Sequence, residues 1–171
     1  MTEWLYIKDG LNQYRYVLGT KGTNPLITFG INPSTAAPGN LDPTVKNTEK
    51  LSKHNKNDSW IMLNIYPQRS TDPNGMDITF KQEEHQKNLD NIEEVFKNNQ
   101  GADIVAAWGN LIMKRNYLIP CLTDIYSLAV KYNMNWVCIN INKTGHPKHP
   151  LYTSIPKVEL KPYPIKRQYN L

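Results

Sequence analysis

Two histidines that lie three residues apart in a proline-containing stretch are the most informative candidates for chemistry. His146 and His149 are each followed directly by a proline. Prolines restrict a loop without forming a helix, so both imidazole rings are expected to be held at low entropic cost. An imidazole can donate a hydrogen bond to an oxygen that becomes negative, and it can carry a proton near neutral pH. The pair predicts either catalytic groups or a rigid loop that caps a sheet.

The same histidines do not predict a metal site, because the sequence offers them no obvious third ligand. His54 and His85 lie in polar segments, and Cys121 and Cys138 do not form a metal-type pair. The two cysteines also indicate no disulfide framework. We therefore expect no metal ion.

Small polar residues follow two short apolar runs. Asn32 comes shortly after Gly30, and its amide can orient a water through a donor and an acceptor. Ser34 and Thr35 can bind phosphate with hydroxyl and backbone N–H groups where a helix starts. Asn64 ends the second run and presents a donor beside an acceptor, which suits the edge of a nucleobase. The alternatives are an ordinary strand-to-helix turn and an asparagine that bridges two loops.

Basic and apolar side chains near these positions could complete a binding site. Arg69 is by chemistry the best phosphate ligand of its loop, with Thr71 close to it, although an ion pair with Asp42 or Asp72 is an equal alternative. Lys148 lies between the two histidines and could also hold phosphate.

Two further side chains follow the second proline. Leu151 and Tyr152 could stack on bases or wedge between them. Trp108, which ends a third apolar run, is more typical of the core than of a ligand contact.

The elements that position these residues alternate between strands and helices. Period-two alternation predicts a half-exposed strand at 14–18, and apolar runs predict four buried strands, at 26–29, 60–63, 104–108 and 136–141. Helical patterns cover 42–52, 79–98 and 111–132, the last one bent near Pro120. Buried strands separated by helices are typical of a mostly parallel sheet covered on both faces. The sequence thus predicts an α/β domain with a four-stranded central sheet.

The polar segments all follow strand ends. They are residues 30–36, 64–71, 108–110 and 145–152. Ligands of open α/β sheets bind in the crevice outside the carboxyl ends of the strands. We therefore expect these segments to converge on one site.

Length and charge set the remaining limits. The 171 residues predict a single domain, 1–171, with residues 155–171 as a basic, proline-containing extended arm. A formal charge of +5 suits phosphate polymers, although many proteins are basic for solubility alone. The arm could clasp nucleic acid or pack along its own domain. With no apolar signal core and no run of membrane-spanning length, we expect a cytoplasmic protein without a membrane partner.

Four short motifs, in this order, resemble motifs of the uracil-DNA glycosylase superfamily: GINP at 30–33, LN at 63–64, AWG at 107–109 and HPKHPL at 146–151. The resemblance implies a three-layer α/β/α fold with a short parallel sheet, base flipping and base excision in DNA repair, without a cofactor. By position, Asn32 would place the attacking water and Asn64 would bind the base edge. His146 would stabilise the charge on the leaving base, and Leu151 would fill the gap in the duplex.

The chain departs from that pattern in two places. The uracil branch has Asp-Pro-Tyr where this chain has Asn32-Pro33-Ser34, so the carboxylate and the ring that excludes thymine are both missing. One extra residue between the two prolines leaves open whether His146 or His149 takes the active position.

Nearly the whole chain also resembles the bacterial and phage domain of unknown function family 1643. Blocks that carry this resemblance are GINPSTA, NIYP, AWG and GHPKHPLY. That family implies no activity.

Three functions therefore compete. The first is a nucleobase-recognising protein that acts as a glycosylase on single- or double-stranded DNA. The second is a binding module for nucleic acid or nucleotides that keeps the base pocket without the chemistry, in phage or mobile-element DNA metabolism. The third is an enzyme on small nucleotides. The sequence identifies no protein partner.

Overall fold

The computed structural model describes residues 1–150, 154–155 and 158–171. In these residues the chain forms seven β-strands and four α-helices. The strands are β1 (Trp4–Lys8), β2 (Arg15–Thr20), β3 (Pro25–Gly30), β4 (Ser59–Asn64), β5 (Asp103–Ala106), β6 (Asn135–Cys138) and β7 (Lys161–Pro162). The helices are α1 (Pro43–His54), α2 (Gln82–Asn98), α3 (Leu118–Lys131) and α4 (Ile165–Tyr169).

All seven strands belong to one mixed sheet, in the order β1-β2-β4-β3-β5-β6-β7. The central four, β4, β3, β5 and β6, pair in parallel, whereas β1, β2 and β7 pair antiparallel at the two sides. The prediction of a four-stranded sheet is therefore wrong in its count. The four predicted buried strands form only the centre, and the three flanking strands make the sheet mixed.

Helices cover both faces of this sheet. Side chains of α2 and α3, such as Ile92, Phe96 and Leu122, pack with Phe29 and Trp136 on one face. On the other face, α1 contributes Leu51 and Val45 to two smaller clusters. Because the buried strands are apolar on both sides, burial from both layers is what stabilises the central sheet.

The third predicted helix, 111–132, is two separate elements. A 3₁₀ turn spans Gly109–Met113, and α3 then begins at Leu118. Pro120 lies in the first turn of α3, where a missing N–H breaks no intrahelical hydrogen bond. The proline therefore starts the helix instead of bending it.

The C-terminal arm is also more structured than predicted. It contains β7, which pairs antiparallel with β6, and the short helix α4. In the described part of the chain, no helix has the length and apolar character to cross a membrane.

Candidate functional site: a cleft at the carboxyl ends of the parallel strands

A cleft opens at the carboxyl edge of the sheet, above β3 and β5. In chain order the parallel strands are β3, β4, β5 and β6, but in the sheet β3 lies between β4 and β5. The connections from β3 and to β5 therefore run in opposite directions, which makes the β3/β5 pair the topological switch point where ligands of such sheets bind.

The cleft has an outer and an inner compartment of about 660 and 150 Å³. Side chains that line both are Ser34, Asp42, Thr44, Thr71, Trp108, Leu111 and His149. All four segments predicted to converge contribute to the walls, so the predicted meeting of strand ends is present. The outer volume falls in the usual range of small-molecule sites.

Asn64 is the central side chain of the inner compartment. It is the last residue of β4, is 1% exposed, and neither its Nδ2 nor its Oδ1 has a hydrogen-bond partner. Its position is set through its backbone, because Asn88 on α2 donates from Nδ2 to the Asn64 carbonyl at 2.9 Å. Burying an amide without partners costs about 1–3 kcal/mol, so a side chain held this way is available to a ligand.

Gly30, the last residue of β3, keeps that amide open. A Cβ at this position would lie 2.9 Å from Met62 Cε and 3.1 Å from Asn64 Oδ1. Glycine therefore allows a flat group to approach the backbone beside the Asn64 amide.

Asn32 has a largely structural environment. Its Nδ2 donates to the carbonyls of Pro33, Gln68 and Ser70 at 3.1–3.2 Å. These bonds tie the loop after β3 to the loop after β4. Only Oδ1 remains to orient a water, although the side chain does line the inner compartment.

Arg69 holds the same loop and does not line either compartment. Its Nη1 donates to the Ser34 carbonyl at 2.5 Å, and its Nη2 donates to the Tyr6 hydroxyl at 2.7 Å. The ion pair with Asp42 or Asp72 is not formed. Arg15, which sequence reasoning missed, instead lines the inner compartment.

His149 lines the cleft next to Gly109. Gly109 has φ +63°, a backbone angle that favours glycine, while a Cβ there would make only an ordinary contact of 3.5 Å with His149 Cβ. Burial lowers the pKa of His149, and the carboxylate of Asp42 opposes that effect. Lys148 lines the outer compartment.

His146 points away from the cleft, into what we call the Tyr169 cluster: Trp108, His146, Tyr163 and Tyr169. His146 Nδ1 lies 2.9 Å from the Tyr169 hydroxyl, and the two rings stack. Trp108 Nε1 donates to the same hydroxyl at 2.8 Å, and the Tyr163 hydroxyl donates to the Gly145 carbonyl. Burial lowers the pKa of His146.

The structure thus separates the predicted site residues into three groups. Those that line the cleft are Gly30, Asn32, Ser34, Asn64, Thr71, Lys148 and His149. Those that lie away from it are Thr35, Arg69 and His146. Leu151 and Tyr152 fall outside the described residues.

Metal ligands do not cluster at this edge. Across residues 1–150, 154–155 and 158–171, no group of three or more His, Cys, Asp or Glu side chains is arranged to hold a metal ion. Cys121 and Cys138 are buried free thiols, and burial raises the pKa of both.

A family model described as "Protein of unknown function (DUF1643)" matches residues 15–151, which include every described residue that lines the cleft. No curated protein and no solved structure matches the chain.

Proposed function

The chain belongs to the DUF1643 family, and we propose that its cleft binds a nucleobase and that the protein is a DNA glycosylase, a hydrolase of N-glycosidic bonds. The observation that carries the proposal is the buried, unpartnered amide of Asn64 at the end of β4. An amide with one donor and one acceptor free matches a base edge that presents an acceptor beside a donor. Leaving the amide unpaired costs stability that a bound base would restore.

The dimensions of the cleft support this ligand. A cavity of about 150 Å³ holds one six-membered ring, as benzene in an engineered cavity of that size illustrates. The larger outer compartment, lined by Lys148, Thr44 and Thr71, would take a sugar and its phosphates. A base in the inner compartment of a nucleic acid has to leave its stack, which enzymes achieve by flipping the nucleotide.

The charge distribution favours a nucleic-acid ligand. Residues 105–171 contain nine lysines and arginines but only two carboxylate residues, Asp124 and Glu159. This part of the chain supplies the β5 and β6 side of the cleft and the C-terminal arm. Of the nine, Lys148 lines the cleft, and the excess of positive charge in this part of the sequence attracts phosphate backbones without sequence preference.

Two groups in the cleft could support hydrolysis. His149 would hydrogen-bond the leaving base as the bond from the sugar breaks, and the Asp42 carboxylate would stabilise the positive charge that develops on the sugar. Water, oriented by Asn32 Oδ1, adds to the sugar carbon, and the proton that it gives up passes to the base anion, which leaves as the neutral base. In this proposal His149 takes the role that the motif resemblance assigned to His146. The motif order and the parallel centre of the sheet support a uracil-DNA glycosylase-like fold.

A binding module without catalysis is the second candidate. The amide nitrogen of Asn32 is already bonded to three carbonyls, so the residue is less free to handle water than the resemblance implies.

The test compares Asn64→Asp with the native chain. Binding to labelled oligonucleotides is measured by anisotropy, and base release is measured from single and double strands that carry uracil, hypoxanthine or a G·T mismatch. A carboxylate cannot donate, so we expect base-dependent binding to fall by on the order of 100-fold. Asn91→Asp, a half-buried position on α2 away from the cleft, adds the same charge and is the matched control.

The outcomes separate the candidates. If the native chain releases a base and the Asn64→Asp variant does not, the protein is a glycosylase. Binding without release supports the module, and binding of free nucleotides alone supports a small-nucleotide enzyme. If Asn64→Asp and Asn91→Asp bind equally well, the base pocket is wrong.

A further inference from the structure

Arg15 is a buried cation without a carboxylate partner. It is 1% exposed and lines the inner compartment beside Asn64. Its Nη1 donates to the Ala36 carbonyl at 3.1 Å, while its Nε is buried and has no partner. Among the ion pairs of the described residues, none includes Arg15.

A second guanidinium lies next to it. Arg69 Nη1 also donates to the Ala36 carbonyl, at 3.3 Å, and its Nε is likewise buried without a partner. Burial and the nearby charge of Arg69 lower the pKa of Arg15 to about 10, which leaves it protonated at neutral pH. Two positive charges therefore share one carbonyl, and one of them, Arg15, lines the inner compartment.

This arrangement is costly in the free protein. A buried charge is normally compensated by an ion pair with good hydrogen bonds, and an uncompensated one is strongly destabilising. The Asp42 carboxylate is near enough to raise the pKa of Arg15, but it forms no ion pair with either guanidinium among the described residues, and one carboxylate can offset only one of the two charges. An anion at this position would remove the imbalance.

The surroundings favour an oxyanion. Ser34, Thr44 and Thr71 line the same cavity, and Thr44 belongs to the first turn of α1. The Asp42 carboxylate lines the same cavity and caps α1, so the two guanidinium groups exceed the carboxylates at this position by one positive charge.

We propose that Arg15, supported by Arg69, forms an anion subsite in the inner compartment, which takes an anionic oxygen of the ligand beside the amide of Asn64. The oxygen has two chemical sources, the phosphate of a nucleotide or the ring of an ionised nucleobase. The first source does not depend on base recognition. The second rests on the proposed function, since a base that leaves its sugar carries a negative charge.

The first experiment uses the native protein. One calorimetric titration, at constant ionic strength, compares the binding of inorganic phosphate with that of chloride. A second, above neutral pH, compares the binding of 5-fluorouracil with that of the less acidic uracil. Phosphate binding identifies a phosphate subsite, and tighter binding of 5-fluorouracil as pH rises identifies a subsite for an ionised ring. If neither anion binds better than its comparison ligand, the proposal is overturned.

The second experiment assigns the binding to Arg15. Arg15→Gln is expected to weaken the bound anion by about tenfold or more, because a charge-assisted hydrogen bond is lost. Arg167→Gln removes the same charge from an exposed position and should leave affinity unchanged. If Arg15→Gln does not fold, Arg15→Lys and Arg69→Gln replace it. Full anion affinity in a folded Arg15 variant contradicts the subsite.

The two proposals fail in different ways. If Arg15→Gln loses phosphate binding while Asn64→Asp leaves the affinity for every base unchanged, the anion subsite is supported and base recognition is rejected. The reverse pattern would retain base recognition alone.

Discussion

Trp108 belongs to the Tyr169 cluster and also lines the cleft, and the two groups of buried polar side chains differ in how their hydrogen bonds are used. In the Tyr169 cluster, Trp108 Nε1, His146 Nδ1 and the Tyr163 hydroxyl all have partners. In the cleft, both amide atoms of Asn64 and the Nε of Arg15 have none. The same residue therefore adjoins hydrogen-bonded polar groups and unpaired ones.

This contrast indicates which buried polar groups to associate with function. A fully paired network rigidifies the fold, whereas an unpaired buried group lowers stability unless a ligand completes it. Burial and polarity alone would have ranked His146 and Asn64 as equal candidates. Their hydrogen bonds distinguish a supporting wall from a binding site, and five substitutions test that distinction.

The largest expected effect is the loss of the Tyr169 hydroxyl. Tyr169→Phe leaves Trp108 Nε1 and His146 Nδ1 without their shared partner. We expect the free energy of unfolding to fall by about 2 kcal/mol, since each unpaired buried group costs about 1–3 kcal/mol. Chemical denaturation measures it. Tyr126→Phe is the control, because its hydroxyl has no hydrogen bond within the described residues. If Tyr169→Phe and Tyr126→Phe lower the free energy of unfolding equally, the Tyr169 cluster does not stabilise the fold through its hydrogen bonds.

Filling the space beside Asn64 is expected to act on binding rather than on folding. Gly30→Ala places a methyl group near Asn64 Oδ1 and the flexible end of Met62. We expect about a tenfold loss of base affinity, or about 1.4 kcal/mol, with a nearly unchanged midpoint of unfolding. Titration with nucleosides and thermal melting measure the two quantities. Unchanged affinity would place the ligand away from β3.

Replacing the unpaired amide is expected to stabilise the free protein. Asn64→Leu removes a buried donor and acceptor that have no partners, so unfolding should become harder by up to about 1 kcal/mol while base binding is lost. Denaturant titration gives the free energy. A clear destabilisation would mean that Asn64 supports the fold, as Tyr169 does.

The smallest effect concerns pH. Burial lowers the pKa values of His146 and His149 below the ordinary 6.5, so the folded state favours the neutral rings. Their contribution to stability is present above pH 6.5 and is lost as pH falls towards the lowered pKa values. His146→Asn should flatten the pH profile of stability and leave the profile of base binding unchanged. His149→Asn should alter the profile of binding, because His149 lines the cleft. If His146→Asn instead altered the pH profile of binding and His149→Asn did not, His146 would belong to the binding site and His149 to the supporting wall.

Sequence patterns predicted the central strands and the position of Asn64, because apolar runs and strand ends are local signals. They missed β1, whose residues are half-buried or exposed, and β7, which has two residues. The burial of β1 residues does not alternate along the strand, and β7 is too short for alternation to be detected.

The orientation of individual side chains was beyond such patterns. Whether His146 or His149 faces the cleft depends on Tyr169, a residue that lies 23 positions from His146. Arg15 lies in a segment that alternates as a half-exposed strand does, where an arginine indicates solvent. Only the packing of the loops after β3 and β4 reveals that it is buried.

The attachment of Tyr169 to Trp108 has a consequence during synthesis. The two residues are 61 positions apart, and ribosomes add about 5–20 residues per second. The indole of Trp108 must therefore wait roughly 3–12 s for the hydroxyl that completes its wall. Over that interval the Trp108 N–H lacks this partner, so the Tyr169 cluster can form only after Tyr169 has been added.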